Sequence, residues 1–216
     1  MPSFRRALLL VPAAVAAVLV SGCTIGDDGP TTTRTRDVGA FTRIENDGSV
    51  DVRLHVGKAQ KVRVSAGEKV IDDVGTEVRD GALRLTFDHD GFGGDDVVVD
   101  VSVPKLAAIK VSGSGDIDAD GIDADAFDVR SDGSADIALA GTANSFDVEM
   151  NGSGDADLAG LKTNQARVAL HGSGDADVRA DDRLEVSVEG SGDVRYHGNP
   201  ELTQHVDGSG DLDHSE

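Results

Sequence analysis

The sequence predicts an all-β protein folded as a right-handed parallel β-helix with about 19 residues in each coil. A four-residue motif recurs at a near-constant step, and apolar residues alternate with polar ones on both sides of each copy. Composition agrees with these patterns. Among 216 residues there are 27 glycines and only 3% aromatic residues, which suits a core built from many thin aliphatic layers.

The first residues indicate export. Arg5 and Arg6 precede an apolar run of 14 residues, from Ala7 to Val20, which is short for a bilayer span of about 20 residues and typical of a signal peptide. The run leads into Val20-Ser-Gly-Cys23, which resembles the lipobox of bacterial lipoproteins, where the cysteine becomes the lipidated first residue. Cys23 is the only cysteine of the chain. An ordinary secretory signal is the alternative.

These features divide the N-terminal part of the chain into two segments. We expect a lipoprotein signal peptide at residues 1–22 and a lipid-anchored tether at residues 23–37, because the latter is polar, rich in Thr and without apolar periodicity. A single β domain then follows at residues 38–216.

The first part of that domain is less regular than the rest. Alternating apolar residues mark short strands near residues 52–56, 61–65, 83–87 and 97–103, and turn-rich segments separate them. We interpret them as opening coils of the same structure, with the irregularity of terminal repeats.

The regular part carries the recurring motif Gly-Ser-Gly-Asp. From one motif Asp to the next, the steps are 20, 19, 20, 18 and 18 residues, and the second copy has Ala135 in place of Gly. The motif residues are Gly113-Ser-Gly-Asp116, Gly133-Ser-Ala-Asp136, Gly152-Ser-Gly-Asp155, Gly172-Ser-Gly-Asp175, Gly190-Ser-Gly-Asp193 and Gly208-Ser-Gly-Asp211.

Strands flank each motif. One residue and three residues after each Asp stand mostly apolar side chains, with a mostly polar one between them, which is the period of a half-buried strand. A second strand is predicted before each motif in the same way. Two strands per coil, joined by the motif turn, stack into a solenoid with parallel ladders.

Glycine is predicted at the turns because a tight turn calls for positive φ or close backbone approach. The turn glycines are Gly113, Gly115, Gly152, Gly154, Gly172, Gly174, Gly190, Gly192, Gly208 and Gly210.

Besides the serial Gly-Ser-Gly motifs, four further segments stand out, namely Phe41-x-x-Ile44, Glu77-Val-Arg-Asp-Gly-Ala-Leu83, Val101-Ser-Val-Pro104 and Tyr196-His-Gly-Asn-Pro200. Together these five features resemble the bacterial head-GIN-domain family of autotransporter adhesin heads, over residues of about 38 to 214. The resemblance implies a pectin-lyase-like parallel β-helix that is exported to the cell envelope and has no established enzymatic activity.

Acidic charge is the strongest chemical signal beyond the scaffold. The net charge is −20, which disfavours nucleic acid and anionic membrane as partners. In a solenoid the motif carboxylates would stack about 4.8 Å apart. We expect them to be solvated, with no cofactor, and keep calcium as the alternative because it binds six to eight oxygens. The residues of this possible calcium ladder are Asp116, Asp136, Asp155, Asp175, Asp193 and Asp211.

These observations predict a non-enzymatic surface lipoprotein that acts in binding, adhesion or envelope structure. Its expected location is extracytoplasmic, anchored at the cell surface or the periplasmic face, with an envelope glycan or surface protein as partner besides the membrane. We expect no catalytic residue, because a repeated Gly-Ser-Gly turn is not the single Gly-x-Ser-x-Gly nucleophile elbow. The alternative is a carbohydrate-active enzyme, a lyase or glycosidase, on the same scaffold.

Overall fold

The structure is a computed structural model that describes residues 28–87 and 97–215. All regular secondary structure in these two ranges is β strand, and the 15 strands belong to one continuous sheet that winds into a solenoid. The predicted all-β solenoid of stacked parallel coils is therefore confirmed. The predicted signal peptide and Cys23 lie outside the described residues. The described part of the chain contains no helix with the length and hydrophobicity needed to span a bilayer.

The strands are β1 Thr31–Arg36, β2 Arg43–Gly48, β3 Asp51–Val56, β4 Lys61–Gly67, β5 Val74–Arg79, β6 Ala82–Phe87, β7 Val98–Val103, β8 Ala108–Gly113, β9 Ile117–Gly133, β10 Ile137–Gly152, β11 Ala156–Gly172, β12 Ala176–Gly190, β13 Val194–His197, β14 Glu201–Gly208 and β15 Leu212–Ser215.

The regular coils are formed by β8 to β15, which pair in parallel with the same register from coil to coil. Val129 lies opposite Val148, and Val148 lies opposite Val168, so that identical positions form columns. The register of pairing shifts at the bend opposite the motif corner, where the chain passes from one straight part of a coil to the other, for example between Leu158 and Thr163. Differences in coil length are absorbed there, and the motif corner therefore stays aligned.

The core follows the predicted alternation in the inner coils. Side chains one and three residues after each motif Asp are buried up to Val194, and Phe127 stacks on Phe146 with ring centroids 6.2 Å apart. The prediction is wrong for the last coil, where Gln204 and His214 are exposed. Nothing in the described residues stacks on that coil, so its inward positions stay in contact with solvent.

The opening part of the domain differs from the prediction. β2 and β3 form a first coil, and β6 and β7 pair with them in parallel as a further coil. In contrast, β4 pairs antiparallel with β7, and β5 pairs antiparallel with β6. The expectation that all these strands are coils of the same kind is therefore wrong. Short turns such as Asp80-Gly81, with φ of 49° and 76°, reverse the chain into hairpins.

The fold also begins earlier than the predicted tether allows. Thr31–Arg36, within the predicted tether, form strand β1, which pairs antiparallel with β4 over six residues. The side chains of Thr33 and Ser65 are hydrogen-bonded at 2.8 Å across this pair. β-branched threonines favour an extended strand, and pairing with β4 satisfies the backbone of this segment. The tether prediction is wrong for these six residues.

Candidate functional site

The motif corners form a straight line along the solenoid, and glycine is required there for two separate reasons. The first glycine of a motif has positive φ, as in Gly172 with 146°. The second has no such φ, but its α-carbon lies against the preceding coil. A Cβ on Gly154 would stand 2.0 Å from the carbonyl oxygen of Ala135. A side chain at either position would crowd the preceding coil, and among the six regular motifs only Ala135 places a Cβ at the second position.

The motif aspartates form a ladder of hydrogen bonds. The backbone N–H of each Asp donates to Oδ1 of the Asp in the preceding coil, as in the 2.9 Å bond from Asp175 N to Asp155 Oδ1. The carboxylate thereby fixes the next corner. The N–H donors and carboxylate acceptors, at 2.8 to 3.1 Å, are Asp116 to Asp51, Asp136 to Asp116, Asp155 to Asp136, Asp175 to Asp155, Asp193 to Asp175 and Asp211 to Asp193.

The ladder has one member that the sequence analysis missed. Asp51 accepts the N–H of Asp116, and Gly48 lies opposite Gly113, so Gly48-Ser-Val-Asp51 is a seventh copy of the motif. Its first and last residues match the pattern. It escaped detection because the step to Asp116 is 65 residues, which breaks the period of about 19 residues.

Two backbone hydrogen bonds complete each corner. The motif serine donates its N–H to the first glycine of the preceding coil, as Ser153 does to Gly133 O at 3.0 Å. The residue after the Asp donates to the Asp carbonyl of the following coil, as Ile137 does to Asp155 O at 2.9 Å. The corner around Ala135 keeps this pattern, and Ala135 is fully buried.

A second acidic column runs beside the ladder on the solvent face of the first strand of each coil. Its members are aligned by the parallel register, which places Asp157 opposite Asp177. Between the two columns lie shallow grooves of about 410 and 240 Å³. We call the two columns and their grooves the acidic wall. The second column consists of Asp118, Asp157, Asp177 and Asp213, with Arg53 and Arg195 at two of its positions.

Cations neutralise little of the acidic wall. Asp177 is the exception, with His197 Nε2 at 2.8 Å and Arg195 at 3.9 Å. Residues 28–87 and 97–215 contain no group of three or more His, Cys, Asp or Glu side chains placed to share a metal ion. Calcium binding to the motif aspartates stays a prediction. Oδ1 of each ladder Asp from Asp51 to Asp193 already accepts a backbone N–H, so a bound cation would share that oxygen or use Oδ2.

The other strand of each coil presents a mixed surface. Neighbouring coils place Arg130 3.5 Å from Glu149 and Arg167 3.4 Å from Glu185. Asp147 lies between like and opposite charges, and partial burial is the main cause that raises the pKa of its carboxyl. This face therefore carries charges of both signs, whereas the acidic wall has only Arg53 and Arg195 among its acidic side chains.

The chain belongs to the family described as "Putative auto-transporter adhesin, head GIN domain". The sequence profile of that family matches residues 40–200. This match confirms the resemblance seen in the sequence, and it covers the first coil, the antiparallel strands after it and most of the regular coils. No curated protein matches the chain.

Solved structures share the fold. A "putative adhesin" from Bacteroides fragilis is 20% identical and superposes with a TM-score of 0.69, covering 86% of this chain and 97% of its own. A "putative lipid binding protein" from Parabacteroides distasonis is also 20% identical, with a TM-score of 0.58 over 88% and 98%. A "putative adhesin" from the same species is 21% identical, with a TM-score of 0.53 over 88% and 99%. At such identities the likeness concerns the fold.

Proposed function

We propose that this protein is a non-enzymatic module of the cell envelope that is held at a membrane by a lipidated Cys23 and binds a partner along the acidic wall. The observation that carries the proposal is the periodicity of this surface. The same carboxylate occupies the same corner in seven successive coils, from Asp51 to Asp211. A repeated surface offers many equal contacts to an extended partner, as the long faces of other solenoids do.

Enzymes need a different arrangement. A glycosidase or lyase gathers a unique set of acid, base and positioning groups at one place. Within the described residues, the grooves of the acidic wall are lined by the same types of residue from coil to coil, and neither stands out from the repeat. The family and the solved relatives are described as adhesins or lipid-binding proteins, which supports a binding role and a surface location.

Charge limits the class of partner. Removal of the signal peptide takes away Arg5 and Arg6, so the exported chain would carry −20 − 2 = −22 charges. Nucleic acids and anionic lipid surfaces are repelled by such a field. A neutral envelope glycan or a basic surface protein fits the wall, since carboxylates accept hydrogen bonds from hydroxyl groups and pair with cations.

The short distance between Cys23 and β1 supports an anchored position. Seven residues separate Cys23 from Thr31. A fully extended chain of that length spans at most about 25 Å. A lipid on Cys23 would therefore keep the N-terminal end of the solenoid close to the membrane.

Replacement of the cysteine tests the anchor. We expect Cys23→Ser to release the protein from the membrane fraction or to leave it unprocessed, because the lipid chains that hold it cannot be attached. Fractionation with mass spectrometry measures both results. Thr33→Ser, which keeps a hydroxyl group on exposed strand β1, serves as control. Unchanged membrane partition and mass in Cys23→Ser would contradict the lipoprotein assignment.

Binding is tested with the exported protein on arrays of envelope glycans, cell-wall fragments and basic surface proteins. We expect Asp157→Lys with Asp177→Lys to reduce binding at least several-fold, because the pair reverses two neighbouring charges of the acidic wall. Glu185→Lys on the mixed face is the control and should bind as the wild type does. Equal binding by all variants would contradict a role of the wall, and new chain ends in a glycan would establish the enzyme alternative.

A further inference from the structure

The N-terminal end of the solenoid has two edge strands, β1 and β5. At the N-terminal end, edge strand β1 directs Arg34 and Arg36 to the same face as the buried Val64 and Val62 of β4. Arg34 pairs with Asp72, and Arg36 Nη2 donates to the carbonyl oxygen of Ile71 at 2.8 Å. Inward-pointing charges are a known protection of an edge strand against pairing with another chain.

At the C-terminal end of the described residues, neither edge strand has inward-pointing charges of this kind. Within residues 28–87 and 97–215, β14 pairs only with β12, and β15 pairs only with β13, so both leave one edge open. Seven of the eight residues of β14 are exposed. Val206 lies on the inward side of this strand and is 38% exposed. Among the described residues it is the single large apolar side chain that is exposed. An open edge with apolar side chains is a template for another strand.

We propose that this open edge binds the same edge of a second copy of the chain about a two-fold axis. A two-fold axis across the end of the solenoid makes β14 antiparallel to its symmetry mate, and an isologous contact needs a self-complementary strand. β14 is self-complementary when the axis passes through Val206. In that register Val206 faces Val206 of the second copy, and His205 faces its Asp207 on both sides of the axis.

Other pairings are less favourable. Moving the axis to Gln204 would place Glu201 opposite Asp207, and like charges directly across a ladder are destabilising. Stacking of the C-terminal end on the N-terminal end of another copy would bring β15 beside β1, where Arg34 and Arg36 already have partners, and β14 beside edge strand β5, so it needs a separate test. The tail-to-tail arrangement also leaves both N-terminal ends on the outside of the dimer. This proposal does not depend on what the acidic wall binds.

Net charge opposes the approach of two copies at long range. With −20 − 2 = −22 on each exported chain, the repulsion is reduced when salt shortens the Debye length to about 10 Å at 0.1 M. We therefore expect the dimer to strengthen with sodium chloride. Sedimentation velocity of the exported protein in detergent at increasing salt measures this, and a sedimentation coefficient that stays at the monomer value at all salt concentrations would overturn the proposal.

Disulfide trapping tests the register. Residues directly opposite in an antiparallel pair have Cα atoms about 4.5–5.5 Å apart, which a disulfide can join. We expect Val206→Cys to give a covalent dimer on mild oxidation. Gln204→Cys is the matched control, since it lies on the same side of the same strand but faces Gly208 of the second copy. The wild type, whose only cysteine is Cys23, measures how much covalent dimer forms without a cysteine on β14.

Equal trapping by both variants, or by neither, would overturn the two-fold register. Mixed disulfides between Val206→Cys and Thr76→Cys chains would overturn it as well, because Thr76 lies on β5, the edge strand at the other end of the same run of strands, and they would report head-to-tail stacking. A charge variant gives an independent test without cysteine. We expect His205→Asp to lower the dimer fraction several-fold and the double change His205→Asp with Asp207→His to restore it. Failure of this rescue in protein that melts like the wild type would contradict the proposed contact.

Discussion

The regular coils and the N-terminal part use the same strand pattern but different pairings. In the coils, the Gly-Ser-Gly-Asp corner leads the chain to the other face, and every strand then lies parallel to its equivalent. In the N-terminal part, the two-residue turn at Asp80-Gly81 reverses the chain, and β5 returns beside β6. Alternation of apolar residues is common to both parts. For β5 and β6 the turn therefore decides the direction of pairing, whereas the antiparallel pairs of β4 with β1 and β7 join strands that are not consecutive.

The charges of the acidic wall and of the N-terminal part also differ, although not because of strand direction, since β2 and β6 pair in parallel. Parallel coils in register repeat each side chain against its equivalent, so that Asp157 meets Asp177. The N-terminal strands place opposite charges together, and Arg84 lies 2.7 Å from Asp47 and 3.9 Å from Glu45. Repetition along a solenoid accumulates like charge, and the chain offsets part of this with backbone N–H donors.

The largest expected effect concerns the glycines of the two parts. Gly172→Ala should lower the free energy of unfolding by roughly 3–5 kcal/mol, because strained backbone and overpacking each cost about 1–3 kcal/mol. Its φ is 146°, and a Cβ would stand 1.9 Å from Gly152 O. Gly57→Ala, with φ of 84° and open space around it, should cost about 1–2 kcal/mol. Urea denaturation measures both, and equal losses would remove the distinction between a corner glycine packed on the preceding coil and a loop glycine in open space.

An intermediate effect is expected at the ladder. Asp155→Ala removes the acceptor of the Asp175 N–H and should cost about 1 kcal/mol. Asp155→Asn keeps an oxygen at Oδ1 and removes a charge that repels its neighbours by about 0.9 kcal/mol at 4.8 Å in water. It should therefore be neutral or slightly stabilising in thermal melts. Asp157→Ala, in the second column, is the control for loss of charge.

Bound calcium would reverse the expected stability of Asp155→Asn relative to the wild type. If the ion bridges the ladder, Asp155→Asn should destabilise the protein in its presence. Stabilisation by millimolar calcium that is abolished by a chelator and by Asp155→Asn, and that sodium chloride of equal ionic strength does not reproduce, would contradict a purely structural role of the carboxylates.

The smallest effect is expected at Asp147 on the mixed face. Burial, opposed by Arg167 and supported by Asp128, raises the pKa of its carboxyl above the ordinary 3.8. The folded state then disfavours the ionised form, so this group lowers stability at neutral pH, and the loss disappears as pH falls through the raised pKa. Asp147→Asn should raise the melting temperature slightly at pH 7 and leave it unchanged below pH of about 3.8. Asp123→Asn is the exposed control, and an equal gain there would contradict the assignment to burial.

Much of the site could be predicted from short segments. The period of the motif and the buried columns around it depend on residues close in sequence, and these agree with the structure from Ile117 to Val194. The role of the aspartates could not be predicted in this way. In an Asx turn an Asp accepts an N–H close to it in sequence, whereas the carboxylate of Asp155 accepts an N–H from the next coil, 20 residues away.

The sequence by itself determined the strand alternation, the coil length and the need for glycine at the corners, because each depends on a few adjacent residues and their backbone angles. The tertiary structure alone decided that β6 and β7 stack outside β2 and β3, that β1 covers β4, and that Asp51 joins a ladder 65 residues away. These pairings join segments far apart along the chain. Many strands of the same alternation could take each place, so local pattern does not distinguish them.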